Sequence, residues 1–307
     1  MADGLKKTLA GLRALSRDRS AGAAEIAERA AALLERFCRR PARDSRTSQA
    51  LARLAETTLT LHPAMAPLLN LANHLQLAAE QGNAALDRLR RQLVRLRRQR
   101  RAATRTIARQ FAARLPRQAA VITYSYSSTV LAALLAARSR LQRVIVSEAR
   151  PGGEGRTLAE RLARRGIEVR LVIDAALTLE IPAARLVVVG ADAVLPRAYV
   201  NKVGTGLLQE RARRERKPFF VLADTTKFLP APLGRFHRLE EQPAGMVWRG
   251  APRRVRVVNR VFETIPLEPH VTLLSERGPM TPRRVRAWLA RQPVARHWRL
   301  TSRRRAR

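Results

Sequence analysis

Three of the chain's seven aspartates, Asp174, Asp192 and Asp224, directly follow or lie within three residues of a short, β-rich apolar run. Two of its five lysines, Lys202 and Lys227, fall in loops of the same region. Carboxylates so placed can move protons or bind sugar hydroxyls. A compact ammonium, kept where nearly every other cation is arginine, suits a phosphate or a proton relay. The loop from Ser147 to Arg156 (SEARPGGEGR) adds three glycines that allow close backbone approach, with Arg150 and Arg156 placed to meet an anion where a helix starts. It is not a Walker A loop, because no Gly-Lys-Ser/Thr follows. Gly204-Thr205-Gly206 is read as following a loop, and it lacks the third glycine of a dinucleotide fingerprint. Ser125, Ser127 and Ser128 in TYSYSSTV offer hydroxyls either to a phosphate at the next helix start or to simple N-capping, and both roles stay open. Cys38 is the single cysteine, which excludes an intramolecular disulfide and a Cys-rich zinc site. The five histidines, at 62, 74, 237, 270 and 297, show no ligand spacing, so neither a metal nor a cofactor is expected.

These residues need elements to hold them. From the N-terminus to about Leu115 the apolar spacing is helical, including one long amphipathic helix from Ala84 whose 3-4 alternation is broken by Arg100. After Pro116 the rhythm changes. The runs 119–124, 143–147, 168–173, 186–189 and 219–222 read as buried strands, continuous rather than alternating in hydrophobicity, with helical stretches near 128–139, 156–165 and 204–215. That is a βαβ series, so the fold class is α/β: an N-terminal helical domain over 1–115, a doubly wound parallel sheet over 116–287, and a basic C-terminal tail over 288–307. Open parallel sheets bind ligands outside the carboxyl ends of their strands, where the rare residues sit.

Sixty Lys and Arg against 24 Asp and Glu leave a net charge of +36 over 307 residues, which excludes an acidic or neutral surface. All but five of those cations are arginine. With 46% hydrophobic residues the chain is folded rather than a disordered basic polymer. Arginine and alanine abundance together read as drift in a GC-rich genome. The physical effect is independent of origin: such a surface attracts phosphates and nucleic acid, with strong salt dependence. Twelve arginines and no acid lie between Arg88 and Arg117, and ten more lie between Arg283 and Arg307. Both stretches are read either as solvated faces or as contacts for nucleic acid or the ribosome. No apolar run reaches membrane-spanning length and the N-terminus lacks a signal-peptide core, so no membrane contact and a cytoplasmic location are expected.

The succession VITYSYSS, VSEARPGGEGRTLAERL, VVVGADAVLPRAYVNKVGT, KPFFVLADTTKF, NRVFETIPLE and SERGPMTP resembles the family of initiation factor two-B alpha, beta and delta subunits. That family also holds ribose-1,5-bisphosphate isomerase and methylthioribose-1-phosphate isomerase. The resemblance covers roughly residues 18–287, with the DRSAGAAEIAERA and HPAMAPLLNLANHL segments. It implies a Rossmann-like sheet domain, a homodimer, and a pocket between the two domains for a phosphorylated small molecule. The resemblance makes Asp192 of Gly190-Ala191-Asp192 the proton-transfer aspartate, and Asn201 and Lys202 the holders of the sugar and its phosphate. Arg19, Gly22, Ser125, Ser127, Arg150, Pro151, Gly155 and Lys227 complete the implied ligand set.

Departures from the isomerase pattern shape the expectation of activity. The resembling enzymes carry a cysteine in a Thr-His-Cys motif where this chain reads Thr123-Tyr124-Ser125. A serine hydroxyl is a far weaker acid than a thiol of pKa about 8.5 and does not readily move a proton between sugar carbons. Their Arg-Gly and Arg-Pro pairs are Ala21-Gly22 and His62-Pro63 here, with Arg19 a partial replacement. The expectation is a non-catalytic or regulatory binder of a sugar phosphate or nucleoside monophosphate. An aldose–ketose isomerase using Asp192 with Ser125 is the alternative.

Overall fold

The computed structural model describes residues 2–17, 23–39, 46–81 and 85–299. Two compact units emerge. The first takes in Met1–Ala102, Thr226–Arg238 and Arg286–Arg307; the second takes in Ala103–Thr225 and Leu239–Val285.

The first unit is helical because its apolar residues repeat at helical spacing. Helices α1 (Ala2–Leu15), α2 (Ala23–Cys38), α3 (Arg46–Leu59), α4 (Ala66–Glu80) and α5 (Ala85–Arg114) follow one another, α5 running on into the second unit. On α2 the residues Ile26, Ala30, Leu34 and Phe37 recur three or four apart and are buried. Two later segments tie onto α4. Asn73 donates to the Pro293 carbonyl and accepts from the Ala295 amide, each at 2.9 Å. Asn70 donates to the carbonyls of Thr226 and Phe228. Residues 288–299, inside the stretch read from sequence as a basic tail, are therefore built into the unit: Leu289 and Trp298 are buried, and Trp288 packs edge-on against Phe228 with ring centroids 5.3 Å apart.

The break at Arg100 and the acid-free arginine run of α5 also find an explanation here. The Arg97 guanidinium bonds Glu28 (2.9 Å) and Glu35 (2.6 Å), and Arg100 bonds Glu28 and the Ala24 carbonyl. Part of the run read either as a solvated face or as a nucleic-acid contact is thus half-buried and neutralised by carboxylates of α2. Burial alone would raise the Glu28 carboxyl, but hydrogen bonds and charge from Arg97 and Arg100 outweigh it and hold it below the usual range.

The second unit is the sheet. Strands β1 (Ala119–Thr123), β2 (Leu141–Ser147), β3 (Val169–Val172), β4 (Leu186–Gly190), β7 (Phe219–Leu222), β9 (Val271–Ser275) and β10 (Gly278–Met280) lie in the order β10-β9-β7-β4-β1-β2-β3. Every pairing is parallel except that of β10 with β9. Between them run β5 (Ala193–Val194), β6 (Ala198–Lys202) and β8 (Phe262–Pro266), an antiparallel sheet ordered β5-β6-β8. Helices α6 (Ser128–Ala136), α7 (Glu154–Ala163) and α8 (Thr205–Arg214) are the crossovers; α9 (Ala231–Gly234) and α10 (Pro282–Ala290) come later in the chain. Val121, Val144, Val146 and Val188 pack with Leu134, Leu158, Leu162 and Phe111 of α5 into one core, which is why the strands read as unbroken apolar runs.

Two sequence readings need correction. The run 168–173 is not a buried strand: β3 is the sheet edge, with Leu171 46% and Ile173 63% exposed, because nothing pairs beyond it in the sheet order. Lys202 closes strand β6 rather than sitting in a loop, and Gly204 comes two residues after that strand's end.

Candidate functional site

Leaving β1 the chain goes one way, to β2 and β3; leaving β4 it goes the other, to β7 and β9. The carboxyl ends of adjacent β1 and β4 are therefore the topological switch point, where the loops on either side diverge. Three of the residues singled out from sequence, Ser125, Ser127 and Asp192, lie on those ends.

After β1, Tyr124 is buried and its phenol donates 2.7 Å to the Val203 carbonyl. Burial, reinforced by the Asp174, Glu263 and Glu154 carboxylates, pushes this phenol up, so it remains a protonated donor. Ser125 follows in the left-handed region, at φ 60°. A non-glycine residue there costs roughly 1–3 kcal/mol. Ser127 is the N-cap of α6, its hydroxyl accepting a long 3.4 Å bond from the Val130 amide, so the capping role holds. After β4, Gly190 brings its backbone against that cap: a Cβ at 190 would meet the Ser127 Oγ at 2.6 Å. Asp192 lies two residues on, half-buried, its amide donating to Val200 of β6.

The loop after β2 is held from below. Both oxygens of Asp174 accept backbone amides, from Ala149 at 2.8 Å and Arg150 at 2.7 Å. The Arg150–Pro151 bond is cis, and Gly153 in the left-handed region starts α7. Gly155 is a necessity of space, since a Cβ there would stand 1.7 Å from the Ser147 carbonyl oxygen. Arg150 keeps its side chain exposed, whereas Arg156 bonds Glu148 at 2.6 Å. Asp174, which sequence position marks as a strand-end carboxylate, thus serves the loop's backbone.

Lys202 of β6 and the carboxylates Glu154 of α7 and Glu263 of β8 complete the site. Lys202 is buried, and its ammonium donates to both oxygens of Glu154 at 3.1 Å. Glu263 of β8 accepts the amides of Gly204 (2.8 Å) and Gly206 (2.8 Å), so a carboxylate already lies at the N-terminus of α8, where an anion is favoured. Asn201 donates to the Thr205 hydroxyl at 3.0 Å, which in turn donates to the Lys202 carbonyl. Glu154 and Glu263 escape a reading of the sequence alone; the signal available was only that acids are scarce in so basic a chain. The strand ends bring together Ser125, Ser127, Arg150, Pro151, Gly155, Asp192, Asn201 and Lys202 within the second unit. Lys227 is buried in the 3-10 turn Thr225–Lys227 and belongs to the first unit. Arg19 and Gly22 lie outside the described residues. His62 places its Nε2 3.1 Å from the Leu15 carbonyl at the end of α1. Among the described residues no helix is long and apolar enough to cross a membrane, and no group of three or more His, Cys, Asp or Glu is placed to hold a metal ion.

Comparison with known proteins bears on this arrangement. A ribose 1,5-bisphosphate isomerase of Archaeoglobus fulgidus is 31% identical over 274 residues, 85% of each chain. A putative translation initiation factor eIF-2B subunit 2-like protein of Pyrococcus horikoshii is 31% identical over 277 residues, covering 89% of this chain and 96% of the relative. A crystal structure of the Pyrococcus horikoshii OT3 translation initiation factor eIF-2B superposes with a TM-score of 0.77 at 29% identity, over 91% of this chain and 98% of that one. The Pyrococcus horikoshii 5-methylthioribose 1-phosphate isomerase shares the fold, with a TM-score of 0.68 at 20% identity over 92% of this chain and 88% of that one. With residues 19–282 matching its description, and with the α/β order expected of it, the chain belongs to the Initiation factor 2 subunit family.

Proposed function

We propose that the chain binds a phosphorylated sugar or a nucleoside monophosphate at the carboxyl ends of β1, β2 and β4, as a regulatory or non-catalytic member of its family. The observation that carries this reading is the hydroxyl of Ser125 at the switch point, in the place where the resembling isomerases have a thiol. The chain's one thiol, Cys38, is buried within α2, and burial pushes it up to about 12, so it stays neutral and unreactive. Asp192 and Asn201 are the groups for sugar hydroxyls; Arg150 and Lys202 are those for the phosphate. Lys202 exchanges its Glu154 partner for the ligand's phosphate, a swap of one anion for another.

The isomerase reading is the second one, favoured by the retained Asp192 and by the 31% identity to a ribose 1,5-bisphosphate isomerase. One experiment separates them. Calorimetric titration with ribose-1,5-bisphosphate, methylthioribose-1-phosphate and adenosine monophosphate, run beside an NMR assay of product formation, is expected to show binding without turnover. Turnover that disappears in Asp192→Asn would overturn the non-catalytic reading. The homodimer belongs to the same reading, and sedimentation equilibrium giving twice the chain mass is its test.

A further inference from the structure

Within the first unit, a cleft of about 600 Å³ lies between the C-terminal turn of α2 and the middle of α5. Five arginines line it, Arg39, Arg90, Arg91, Arg95 and Arg98, against one acid, Glu35. That acid is spent: one oxygen takes Arg39 at 2.9 Å and the other takes Arg97 at 2.6 Å. Arg90, Arg91, Arg95 and Arg98 have no carboxylate partner among the described residues and are exposed. On α8, by contrast, Arg211, Arg213 and Arg214 each take a nearby glutamate, in Arg211–Glu215, Arg213–Glu210 and Arg214–Glu210.

Helical geometry concentrates these unpaired charges. Arg91, Arg95 and Arg98 stand at i, i+4 and i+7, so all three project within about 60° of one another along roughly 10 Å of helix axis. The buried Leu89 and Leu93 occupy the opposite side. Guanidinium groups so close repel one another, and an anion placed among them removes that repulsion while taking forked hydrogen bonds. The cleft's volume is that of a small-ligand pocket, not of a long groove. No aromatic side chain lines it, so it offers no platform on which bases could stack and engages charge alone.

We propose that this arginine-lined cleft between α2 and α5 is a binding site for a compact, multiply phosphorylated anion, one carrying several linked phosphates in a small volume. The site uses none of the strand-end residues and stands or falls apart from the function assigned to them.

The test uses the full chain and inorganic tripolyphosphate as the probe, with affinity measured calorimetrically at several salt concentrations. Wild type is expected to bind at a stoichiometry near one per chain, with a steep loss of affinity as salt rises. The triple variant Arg91→Gln/Arg95→Gln/Arg98→Gln changes only exposed side chains and is expected to weaken binding at least about tenfold. The control Arg249→Gln/Arg253→Gln/Arg254→Gln removes the same charge from an exposed loop of the second unit and is expected to bind as wild type does. Equal loss in both triple variants would mean diffuse attraction by the net charge and would overturn the proposal, as would no loss in the first. A single-stranded RNA bound through the same three arginines in preference to tripolyphosphate would also overturn it, assigning the cleft to a nucleic acid.

Discussion

Gly155 offers the sharpest test of how the strand-end loops are held. A Cβ on this residue would stand 1.7 Å from the Ser147 carbonyl oxygen, 2.9 Å from the Ser147 carbonyl carbon and 3.1 Å from that of Glu148, all backbone atoms. An ordinary contact is 3.4 Å or more, so Gly155→Ala must open a gap of well over 1 Å. Neither side yields easily. Ser147 is paired in register with Val172 of β3, and the Gly155 amide donates back to the Glu148 carbonyl at 3.1 Å. Overpacking of this kind costs about 3 kcal/mol, the upper end of its usual range, because backbone rather than a flexible side chain must move. For a unit of this size each kcal/mol lowers Tm by roughly 2–4 °C, so a fall of about 6–12 °C is expected by scanning calorimetry. Gly153→Ala is the internal comparison. Its φ is 72°, but the nearest atom to a new Cβ is 3.8 Å away, leaving only the left-handed backbone cost of about 1 kcal/mol. A Gly155→Ala protein melting within 2 °C of wild type, or Gly153→Ala proving the more damaged of the two, would refute the reasoning.

Further outcomes are expected elsewhere. Glu28 and Glu35 titrate below their ordinary value of 4.5 because Arg97, Arg100 and Arg39 surround them. Their contribution is therefore fully present above pH 4.5 and is lost as pH falls through the lower folded values. Glu28→Gln should cost about 2 kcal/mol at pH 7, and the gap to wild type should close progressively in melts below pH 4; a constant gap contradicts the ion-pair account. Lys202→Met should abolish calorimetric binding of a sugar phosphate, whereas Glu154→Gln, which frees the ammonium, should tighten it by about fivefold to tenfold. Unchanged affinity in both would remove Lys202 from the ligand's path. Cys38 should react with a disulfide reagent at pH 8 only as fast as the helical unit opens, with denaturant accelerating it; rapid native-state labelling would contradict its burial.

What the sequence disclosed follows from the reach of its signals. Strands β1, β2, β4 and β7 are covered on both faces, so their apolar runs are unbroken and legible, and the helices between them keep their periodicity. Strands β6 and β8 were hidden because AYVNK and FETIP mix polar residues and proline, and β5 is two residues long. The exposure of β3 depends on strand order, which local hydrophobicity does not encode. Among site residues, the aspartates stood out by position, yet nothing local shows that Asp174 is committed to the amides of Ala149 and Arg150. The partnerships Lys202–Glu154 and Glu263–Gly204 join residues 48 and 59 apart, beyond any spacing rule. The arginines of α5 likewise look alike in sequence. Only packing against α2 separates Arg97 and Arg100, which are neutralised, from Arg91, Arg95 and Arg98, which are not.

Glu263, seated on the amides at the start of α8, gives the site a resident counter-ion. Any phosphate that enters there arrives as a competitor, since it must displace a carboxylate making two good hydrogen bonds and can recover little more than that carboxylate gives up. A group that enters there gains only the difference between its own hydrogen bonds and the two that Glu263 already makes.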